Sequence, residues 1–260
     1  MKHTTNNQNP LVSVILPAYN AEGFLEAAVR SVMAQTVQNW ELIILDDGSQ
    51  DATCTIAQRL AEADERILFS PNGENMGVAR TRNRGIAMSR GAYVALLDSD
   101  DLWQPDKLEK QLARLEQTGA DICYTAYAII GLHGEKVRPD YLVPEQATFQ
   151  KLLKENVIGC STVLLRGEVA RANPFKTEFS HEDYVLWLQL LQAGYKAAGC
   201  TEVLTQWRYL DGSRSFNKKK AARNRWRIYR EYLHLNFFRS GWLMGHYVAA
   251  SLKKYLRRGK

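Results

Sequence analysis

A short apolar run followed by an amphipathic helical segment occurs twice near the start of the chain, and this repeat restricts the possible folds more than any other feature. Residues 11–16 and 40–45 are rich in apolar and β-branched side chains, which is typical of strands buried on both faces. We expect the first strand to end at Pro17. Residues 22–36 and 51–62 carry apolar side chains at helical spacing. The alternation predicts an α/β fold with a mainly parallel central sheet flanked by helices.

The same alternation continues along the chain. Further strands are predicted at residues 66–70, 92–97, 121–130, 161–165, 195–200 and 203–209. Further helices are predicted at residues 78–89, 105–118, 149–155 and 182–194, with a hairpin turn at 131–134. From residue 217 to the end we expect two helical pieces separated near residues 240–241.

Charge is distributed unevenly along the chain. The net charge of the 260 residues is +6, but residues 214–260 hold 14 Lys or Arg and a single acid, Glu231, so the preceding part is net acidic. We therefore divide the chain into a polar N-terminal tail at residues 1–10, a main α/β domain at residues 11–213 and a basic, aromatic helical extension at residues 214–260.

Features outside the α/β pattern bear on location and partners. The four cysteines include no CxxC pair and residues 1–10 lack the apolar core of a signal peptide, which predicts a cytoplasmic protein. Residues 233–252 are apolar but interrupted by polar side chains, so no membrane span is expected. The extension either packs on the main domain or contacts an anionic membrane surface, and the absence of a nucleic-acid-binding motif makes nucleic acid an unexpected partner.

Three carboxylates occur within the four residues that follow the strand at 92–97, in the sequence Asp98-Ser99-Asp100-Asp101. Like charges this close disfavour joint ionisation, so a cation is needed to stabilise them. Oxygen ligands suit Mg²⁺ or Mn²⁺. Ligands of open α/β sheets bind at the carboxyl ends of the strands, where these residues are predicted to lie. The cluster therefore predicts a metal site that could hold a diphosphate.

Several motifs occur in a familiar order and together resemble family 2 glycosyltransferases of the GT-A fold. They are Pro17-Ala18-Tyr19-Asn20, Asp46-Asp47-Gly48-Ser49, Asn75-Met76-Gly77, Ala79-Arg80-Thr81-Arg82-Asn83-Arg84-Gly85, Asp98-Ser99-Asp100-Asp101 and Glu182-Asp183. The resemblance covers residues 11–210. It implies a nucleotide-sugar half at about 11–104, an acceptor half at about 105–213, and inverting, metal-dependent transfer of a sugar from a UDP-sugar.

The resemblance also implies roles for individual residues. Asp100 is the expected metal ligand, Asp98 lies nearer the ribose or shares the metal, and Asp101 could fill either role. Asp47 could accept the imide N–H of uracil or serve only as a turn residue, and Arg208 could touch the diphosphate or form a structural salt bridge. The expected nucleotide-sugar contacts are Pro17, Ala18, Tyr19, Asn20, Asp47, Arg82, Asp98, Ser99 and Arg208.

Inversion needs a base that removes the proton of the acceptor hydroxyl. Glu182 and Asp183 lie in the first turn of a predicted helix, where the anionic form of a carboxyl is favoured. By resemblance Asp183 is the expected base and Glu182 binds acceptor or orients the loop. Helix capping is the alternative role of this pair, and His181 is a competing base.

The predicted function is the addition of a single sugar to a saccharide or lipid-linked saccharide, in assembly of a surface polysaccharide or lipopolysaccharide. The Gln-x-x-Arg-Trp motif common in processive members of the family is not found in the sequence. The alternatives are a sugar-phosphate nucleotidyltransferase and a non-enzymatic, basic protein that binds membrane or nucleic acid. A lipid-linked acceptor would place the protein peripherally on the inner face of the cytoplasmic membrane.

Overall fold

The structure is a computed structural model that describes residues 9–210 and 218–256. The strands are β1 Val12–Ala18, β2 Trp40–Asp46, β3 Ile67–Phe69, β4 Tyr93–Leu96, β5 Leu102–Trp103, β6 Ile122–Ile130, β7 Lys136–Tyr141, β8 Gln146–Ala147, β9 Leu164–Arg166 and β10 Ala197–Arg208. The helices are α1 Leu25–Met33, α2 Thr53–Ala63, α3 Val78–Met88, α4 Lys107–Thr118, α5 Phe149–Lys154, α6 Gly167–Ala172, α7 Glu182–Gln192, α8 Lys218–Arg227 and α9 Phe237–Leu256. A 3₁₀ turn, Cys160–Thr162, precedes β9, and a π-helical turn, Ile228–Tyr232, follows α8.

The strands form one mixed sheet with the order β3-β2-β1-β4-β9-β6-β10-β5. β1 pairs in parallel with both β2 and β4, and β2 pairs in parallel with β3. β9 runs antiparallel between β4 and β6, while β10 is parallel to β6. This arrangement confirms the predicted α/β class with a mostly parallel sheet. Because β1, β2 and β4 are parallel, the polar residues that follow them meet at one edge of the sheet.

Both faces of the central strands are buried, as their apolar composition predicts. Along β1, Ile15 belongs to the apolar cluster on one face of the sheet, while Val14 and Leu16 belong to the cluster on the other face. Successive side chains of a strand point to opposite faces, so a strand covered by helices on both sides must be apolar at nearly every position. Trp187 of α7 is fully buried in the first cluster.

The first strand does not end at Pro17, because β1 continues to Ala18. Pro17 pairs in register with Leu45 of β2, whereas the pairing of β1 with β4 stops at Ile15. The Ile15 carbonyl accepts a hydrogen bond from Leu97 N on the β4 side, and residues two apart in a strand direct their backbone groups to the same side. The missing N–H of Pro17 therefore faces a position where no strand bond is required.

The two short strands predicted at 195–200 and 203–209 are one strand, β10, with an irregular register between Cys200 and Thr205. Thr201 and Glu202 interrupt the apolar pattern there, but a bulge accommodates them without ending the strand. The sequence predictions also omitted β5, β7, β8 and α6, which have two, six, two and six residues. Elements this short carry too few residues for a periodic pattern.

The break in the C-terminal helices lies at residues 233–236 and not near 240–241 as predicted. His234 adopts a positive φ of 51°, and the Asn236 side chain accepts a hydrogen bond from Arg239 N at 2.9 Å, which caps the start of α9. Ser240 does not break the helix: its backbone N–H donates to the Asn236 carbonyl at 3.0 Å, and its hydroxyl donates to the same carbonyl at 2.9 Å. Within the described residues, no helix has the length and apolar content needed to cross a membrane.

The described part of the basic extension packs on the main domain. Ile228 and Tyr229 are buried, and the Tyr229 hydroxyl donates to the Leu153 carbonyl of α5. The Arg225 guanidinium lies 3.8 Å from the Tyr184 ring centroid of α7. The extension thus contributes to the core beside α5 and α7.

Candidate active site

A cleft of about 620 Å³ opens at the carboxyl ends of β1, β2 and β4. Tyr19 is half exposed at this cleft. The predicted nucleotide-sugar residues that line it are Pro17, Ala18, Tyr19, Asn20, Asp47, Asp98, Ser99 and Arg208, together with Asp100 of the metal prediction. We call this space the donor cleft.

The loops after β1 and β2 are joined to each other at the donor cleft. Asn20 N donates to the Ser49 hydroxyl at 2.9 Å, and Gln50 N donates to Asn20 Oδ1 at 2.9 Å. Asn20 adopts a positive φ of 47°, a conformation that Asn tolerates better than most residues. These contacts fix the backbone that presents Tyr19 to the cleft.

Asp47 organises the loop that leads into α3. Its Oδ1 accepts hydrogen bonds from Asn72 Nδ2, Met76 N and Thr81 Oγ1 at 2.7 to 2.9 Å, and its Oδ2 accepts one from Gly77 N at 2.9 Å. Asp47 is 4% exposed. Four hydrogen bonds to one carboxylate hold its side chain in a fixed position. Asp47 therefore holds the loop before α3 at the floor of the cleft. Its recognition of a uracil nucleobase stays a prediction.

The carboxylates after β4 lie in two different environments. Asp98 and Asp100 line the donor cleft and are partly exposed, and Asp98 N is fixed by a hydrogen bond to the Ser161 hydroxyl at 3.0 Å. Asp101 is 1% exposed, and its Oδ1 accepts a hydrogen bond from Arg208 N at 2.8 Å. Burial, followed by the charges of Asp100 and Asp98, raises the pKa of Asp101 well above its usual value. Asp101 thus supports the loop, while Asp98 and Asp100 face the cleft.

Arg208 ties the cluster to the β6–β7 hairpin. Its Nε donates to the Asp100 carbonyl at 2.8 Å, and its Nη1 donates to the carbonyls of Gly131 and Leu132 at 2.7 and 2.8 Å. The residue is 6% exposed but still borders the donor cleft. The guanidinium therefore links the Asp100 backbone to the β6–β7 turn, and its contact with a diphosphate stays a prediction.

Arg82 of α3 connects the loop after β4 to the first turn of α7. Its Nη2 donates to Asp98 Oδ1 at 2.5 Å and its Nη1 donates to Glu182 Oε1 at 2.7 Å, with 2% of the Arg82 side chain exposed. Burial acts to lower the pKa of Arg82, but the nearby carboxylates of Asp98 and Glu182 outweigh it and the pKa is raised well above its usual value. Contact of Arg82 with the nucleotide stays a prediction, whereas the structure shows its two carboxylate partners.

A second cavity, of about 340 Å³, adjoins the donor cleft and contains Asp183, Glu182 and His181 in its wall. We call it the acceptor cavity. Burial of the carboxyl, and next the charge of Glu182, raise the pKa of Asp183 to about 6, against the opposing effect of Arg82. His181 Nδ1 lies 3.3 Å from Asn224 Nδ2 of α8. The carboxyl of Asp183, the predicted base, therefore ionises at a pH just below neutral.

The two spaces meet at Asp98 and Trp207, which line both of them. The site residues predicted from the sequence do not include Trp207, although it lies in the segment 206–208 expected near the site, nor Ser161, nor Ala221 and Tyr247 of the extension, which line the acceptor cavity. Trp207 directly precedes Arg208 at the end of a strand, and that position was the available signal. Ser161 and the extension residues carried none, because long-range packing alone brings them to the cavity.

The residues at the donor cleft fit a hard divalent cation. Asp98 and Asp100 offer carboxylate oxygens there, although the described residues contain no group of three or more His, Cys, Asp or Glu that could hold a metal by themselves. Mg²⁺ is commonly held by one or two carboxylates together with substrate phosphates, so this donor set suits a metal shared with a diphosphate.

A cleft at the carboxyl edge of a mostly parallel sheet, next to a cavity lined by Asp183 and Glu182, is the arrangement expected of a GT-A glycosyltransferase. The sequence profile described as Glycosyl transferase family 2 matches residues 13–167, more than half of the chain. The protein belongs to glycosyltransferase family 2.

Named relatives match nearly the whole chain. A putative teichuronic acid biosynthesis glycosyltransferase, TuaG of Bacillus subtilis (strain 168), is 39% identical over 250 residues, covering 96% of this chain and 99% of that protein. The Escherichia coli protein WfgD, named as a UDP-Glc:alpha-D-GlcNAc-diphosphoundecaprenol beta-1,3-glucosyltransferase, is 35% identical over 247 residues, covering 94% and 95%. These relatives support a glycosyltransferase of surface polysaccharide assembly, and the transferase class replaces the nucleotidyltransferase and non-enzymatic alternatives.

Solved structures share the fold at low sequence identity. Residues 1–349 of Staphylococcus aureus TarS in complex with UDP-GlcNAc superpose with a TM-score of 0.71 at 18% identity, covering 91% of this chain and 71% of that one. The mannosyltransferase PcManGT of Pyrobaculum calidifontis, in complex with GDP-Man and Mn²⁺, gives a TM-score of 0.70 at 17% identity, covering 94% and 74%. At these identities the likeness supports the GT-A fold.

Proposed function

We propose that the protein transfers a single sugar, with inversion and with a divalent metal, from a UDP-sugar to a lipid-linked saccharide at the inner face of the cytoplasmic membrane. The observation that carries the proposal is the junction at Asp98, where the donor cleft opens into the cavity that contains Asp183. The activity for which the WfgD relative is named supports both the UDP-sugar and the lipid-linked acceptor. Surface polysaccharide assembly, lipopolysaccharide included, is the setting of this proposal.

On the donor side, the half-exposed Tyr19 offers a ring face for uracil, and the ribose and diphosphate extend toward residues 98–100. Asp100, with Asp98, would hold the metal, which when bound neutralises the charge that develops on the leaving diphosphate. Arg82 keeps Asp98 in place through its 2.5 Å ion pair. We assign recognition of the uracil nucleobase to Asp47 and the residues around it.

On the acceptor side, Asp183 accepts the proton of the attacking hydroxyl. As that oxygen forms its bond to the anomeric carbon, the bond from this carbon to the β-phosphate oxygen breaks and its electron pair leaves with UDP. Attack opposite the leaving group inverts the anomeric configuration. With a pKa of about 6, Asp183 is mostly ionised at neutral pH yet basic enough to take the proton.

Trp207 is our candidate for the surface on which the acceptor sugar rests. Its ring lies 6.2 Å from that of Tyr127 and 6.1 Å from that of Tyr209, both in edge-on geometry, so its neighbours hold its orientation. An indole presents a flat apolar face to the C–H side of a sugar ring. Its position between the two spaces would place that sugar beside both Asp98 and Asp183.

The proposal is tested by measuring slow hydrolysis of a panel of nucleotide sugars with Mn²⁺, with Mg²⁺ and with a chelator. We expect at least one UDP-sugar to be hydrolysed, with the rate lost when the metal is removed. GDP- and dTDP-sugars serve as controls for base selection. Absence of UDP-sugar binding and turnover with any metal, or turnover of a GDP-sugar alone, would contradict the proposal.

A further inference from the structure

Helix α9 has two contrasting faces. Ser240 and Leu243 are 0% and 2% exposed and lie against the body, whereas Phe238 is 86% exposed and Trp242 is 56% exposed. Val248, 47% exposed, continues the exposed side, since positions 238, 242, 245 and 248 follow helical spacing along one face. Phe237, 65% exposed, extends this surface at the start of the helix. We call Phe237, Phe238, Trp242 and Val248 the outer face of α9.

Single exposed apolar residues are ordinary on soluble proteins, but a contiguous group is not. Of the other large apolar side chains exposed on the described part of the domain, Met33, Leu68 and Met88 are each 37% exposed and lie on three different elements. Leu132, Val137 and Leu142 are 53%, 41% and 70% exposed and are spread over the β6–β7 turn, β7 and the residue after it. The outer face of α9 instead places four within twelve positions of one helix. Such a concentration marks a surface that meets an apolar partner.

Basic side chains surround the outer face. The Lys154 ammonium of α5 lies 5.1 Å from the Trp242 ring centroid, and Arg239 and Arg230 are exposed beside the start of α9. Over residues 214–260 the sequence has 14 basic residues and one acid, Glu231. An apolar, aromatic strip bordered by Lys and Arg is the composition of helices that lie in the headgroup region of anionic bilayers.

The outer face is directly linked to the acceptor cavity. Tyr247, the neighbour of Val248 on α9, lines the cavity that contains Asp183. A helix with its side chains is about 10–12 Å across, so the cavity and the outer face are separated by about the thickness of one helix. An acceptor sugar in the cavity could therefore remain attached to a lipid that lies beside α9.

From these observations we infer that the outer face of α9 inserts its aromatic side chains into the headgroup region of an anionic lipid bilayer. This inference rests on the proposed function in one respect: the bound membrane would supply the lipid-linked acceptor. α9 lies along the bilayer surface, its inner face stays packed on the body, and the bordering Lys and Arg contact lipid phosphates.

A second copy of the chain is a poorer occupant of the same surface. Pairing two outer faces would bring together two extensions that each carry 14 basic residues against one acid. Like charges at such an interface oppose association, whereas anionic headgroups neutralise them. Charge complementarity therefore selects the lipid surface.

The test uses the full chain and flotation with vesicles of phosphatidylglycerol mixed with phosphatidylcholine, or of phosphatidylcholine alone. The variant Phe238→Ser/Trp242→Ser removes two exposed rings, and Met33→Ser/Met88→Ser is the matched control, because it removes two exposed apolar side chains elsewhere. We expect the wild type and the control to bind the anionic vesicles and the outer-face variant to bind at least about tenfold more weakly. Added salt should weaken binding of the wild type.

UDP-sugar hydrolysis without vesicles separates the two proposals, because the outer face is not in the donor cleft. Unchanged hydrolysis with weakened vesicle binding supports the inference. Vesicle binding without any hydrolysis contradicts the proposed function and leaves the surface assignment supported. The inference is overturned by wild-type protein that does not bind anionic vesicles, by equal binding of the outer-face variant, or by a wild-type dimer in sedimentation that this variant dissociates.

Discussion

Replacement of Arg82 by Ala should destabilise the protein and raise the pH at which it becomes active. The guanidinium is 2% exposed and donates to Asp98 at 2.5 Å and to Glu182 at 2.7 Å. Hydrogen bonds to charged partners contribute about 1.5–3 kcal/mol each, and breaking a buried ion pair from one side costs about 3–5 kcal/mol. We expect a loss of about 3–5 kcal/mol of unfolding free energy, or a fall in Tm of about 6–10 °C for a chain of this size.

The effect on activity follows from the same contact. Arg82 acts to lower the pKa of Asp183, which stands at about 6. Without that positive charge the pKa rises, so a higher pH is needed to ionise the base. In a pH series of kcat/KM, the midpoint of the rising limb should therefore move upward from about 6 in Arg82→Ala.

Arg80 provides the matched control, because it is an exposed arginine on the same helix. Arg80→Ala should change the unfolding free energy by less than about 0.5 kcal/mol. The double variant Arg82→Met/Glu182→Gln should recover part of the lost stability, since it removes one of the two carboxylates that lose their ion pair with Arg82. A loss below about 1 kcal/mol in Arg82→Ala by denaturant titration, or an unshifted pH midpoint, would refute the reasoning.

Three further predictions address the base, the donor loop and the acceptor surface. Asp183→Asn should lower transfer at least about a hundredfold while UDP affinity by calorimetry stays nearly unchanged, and a large loss of UDP binding would instead show a structural role. Gly48→Ala should lower the unfolding free energy more than Gly73→Ala and should weaken UDP binding. Both glycines have a positive φ, 78° at Gly48 and 82° at Gly73, so both substitutions strain the backbone. Only at Gly48 would the new Cβ also meet backbone, at 2.7 Å from Asn75 N. Equal losses in the two variants would contradict this. Trp207→Ala should raise the KM for acceptor about three- to tenfold with Trp207→Phe retaining most affinity, and a larger change in donor KM would exclude the proposed stacking.

Much of the fold follows from local sequence patterns. The apolar runs at β1 and β2 and the helical spacing after them predicted the first two strand–helix units, because a strand buried on both faces must be apolar at most positions. The sequence predictions were wrong where pairing with a neighbouring strand, and not the local sequence, decided where a strand ends. Pro17 stays within β1 because β4 no longer pairs there, and β10 passes through an irregularity because β6 continues beside it.

The break before α9 illustrates the same limit. Ser240-Gly241 is a reasonable breaking signal in isolation, yet Ser240 is buried and bonds back to Asn236, so the helix continues through it. The Asn236 cap could have been identified from sequence, because Asn is a favoured N-cap residue. Packing of Ser240 against the body decides that the break lies before Asn236 and not at Ser240.

By itself the sequence determined the α/β alternation, the carboxylates after β4 and the acidic pair at the start of α7, because strand ends and helix first turns are local features. Only the tertiary structure decided how those carboxylates are used. Arg82 contacts both Asp98 and Glu182, and Glu182 is 100 residues from Arg82 along the chain. Asp101 is buried and accepts a hydrogen bond from Arg208 N, and α9 lines the acceptor cavity with Tyr247 while exposing Phe238. A charge takes its role from the partners and solvent around it, and those are set by contacts between residues distant in the chain.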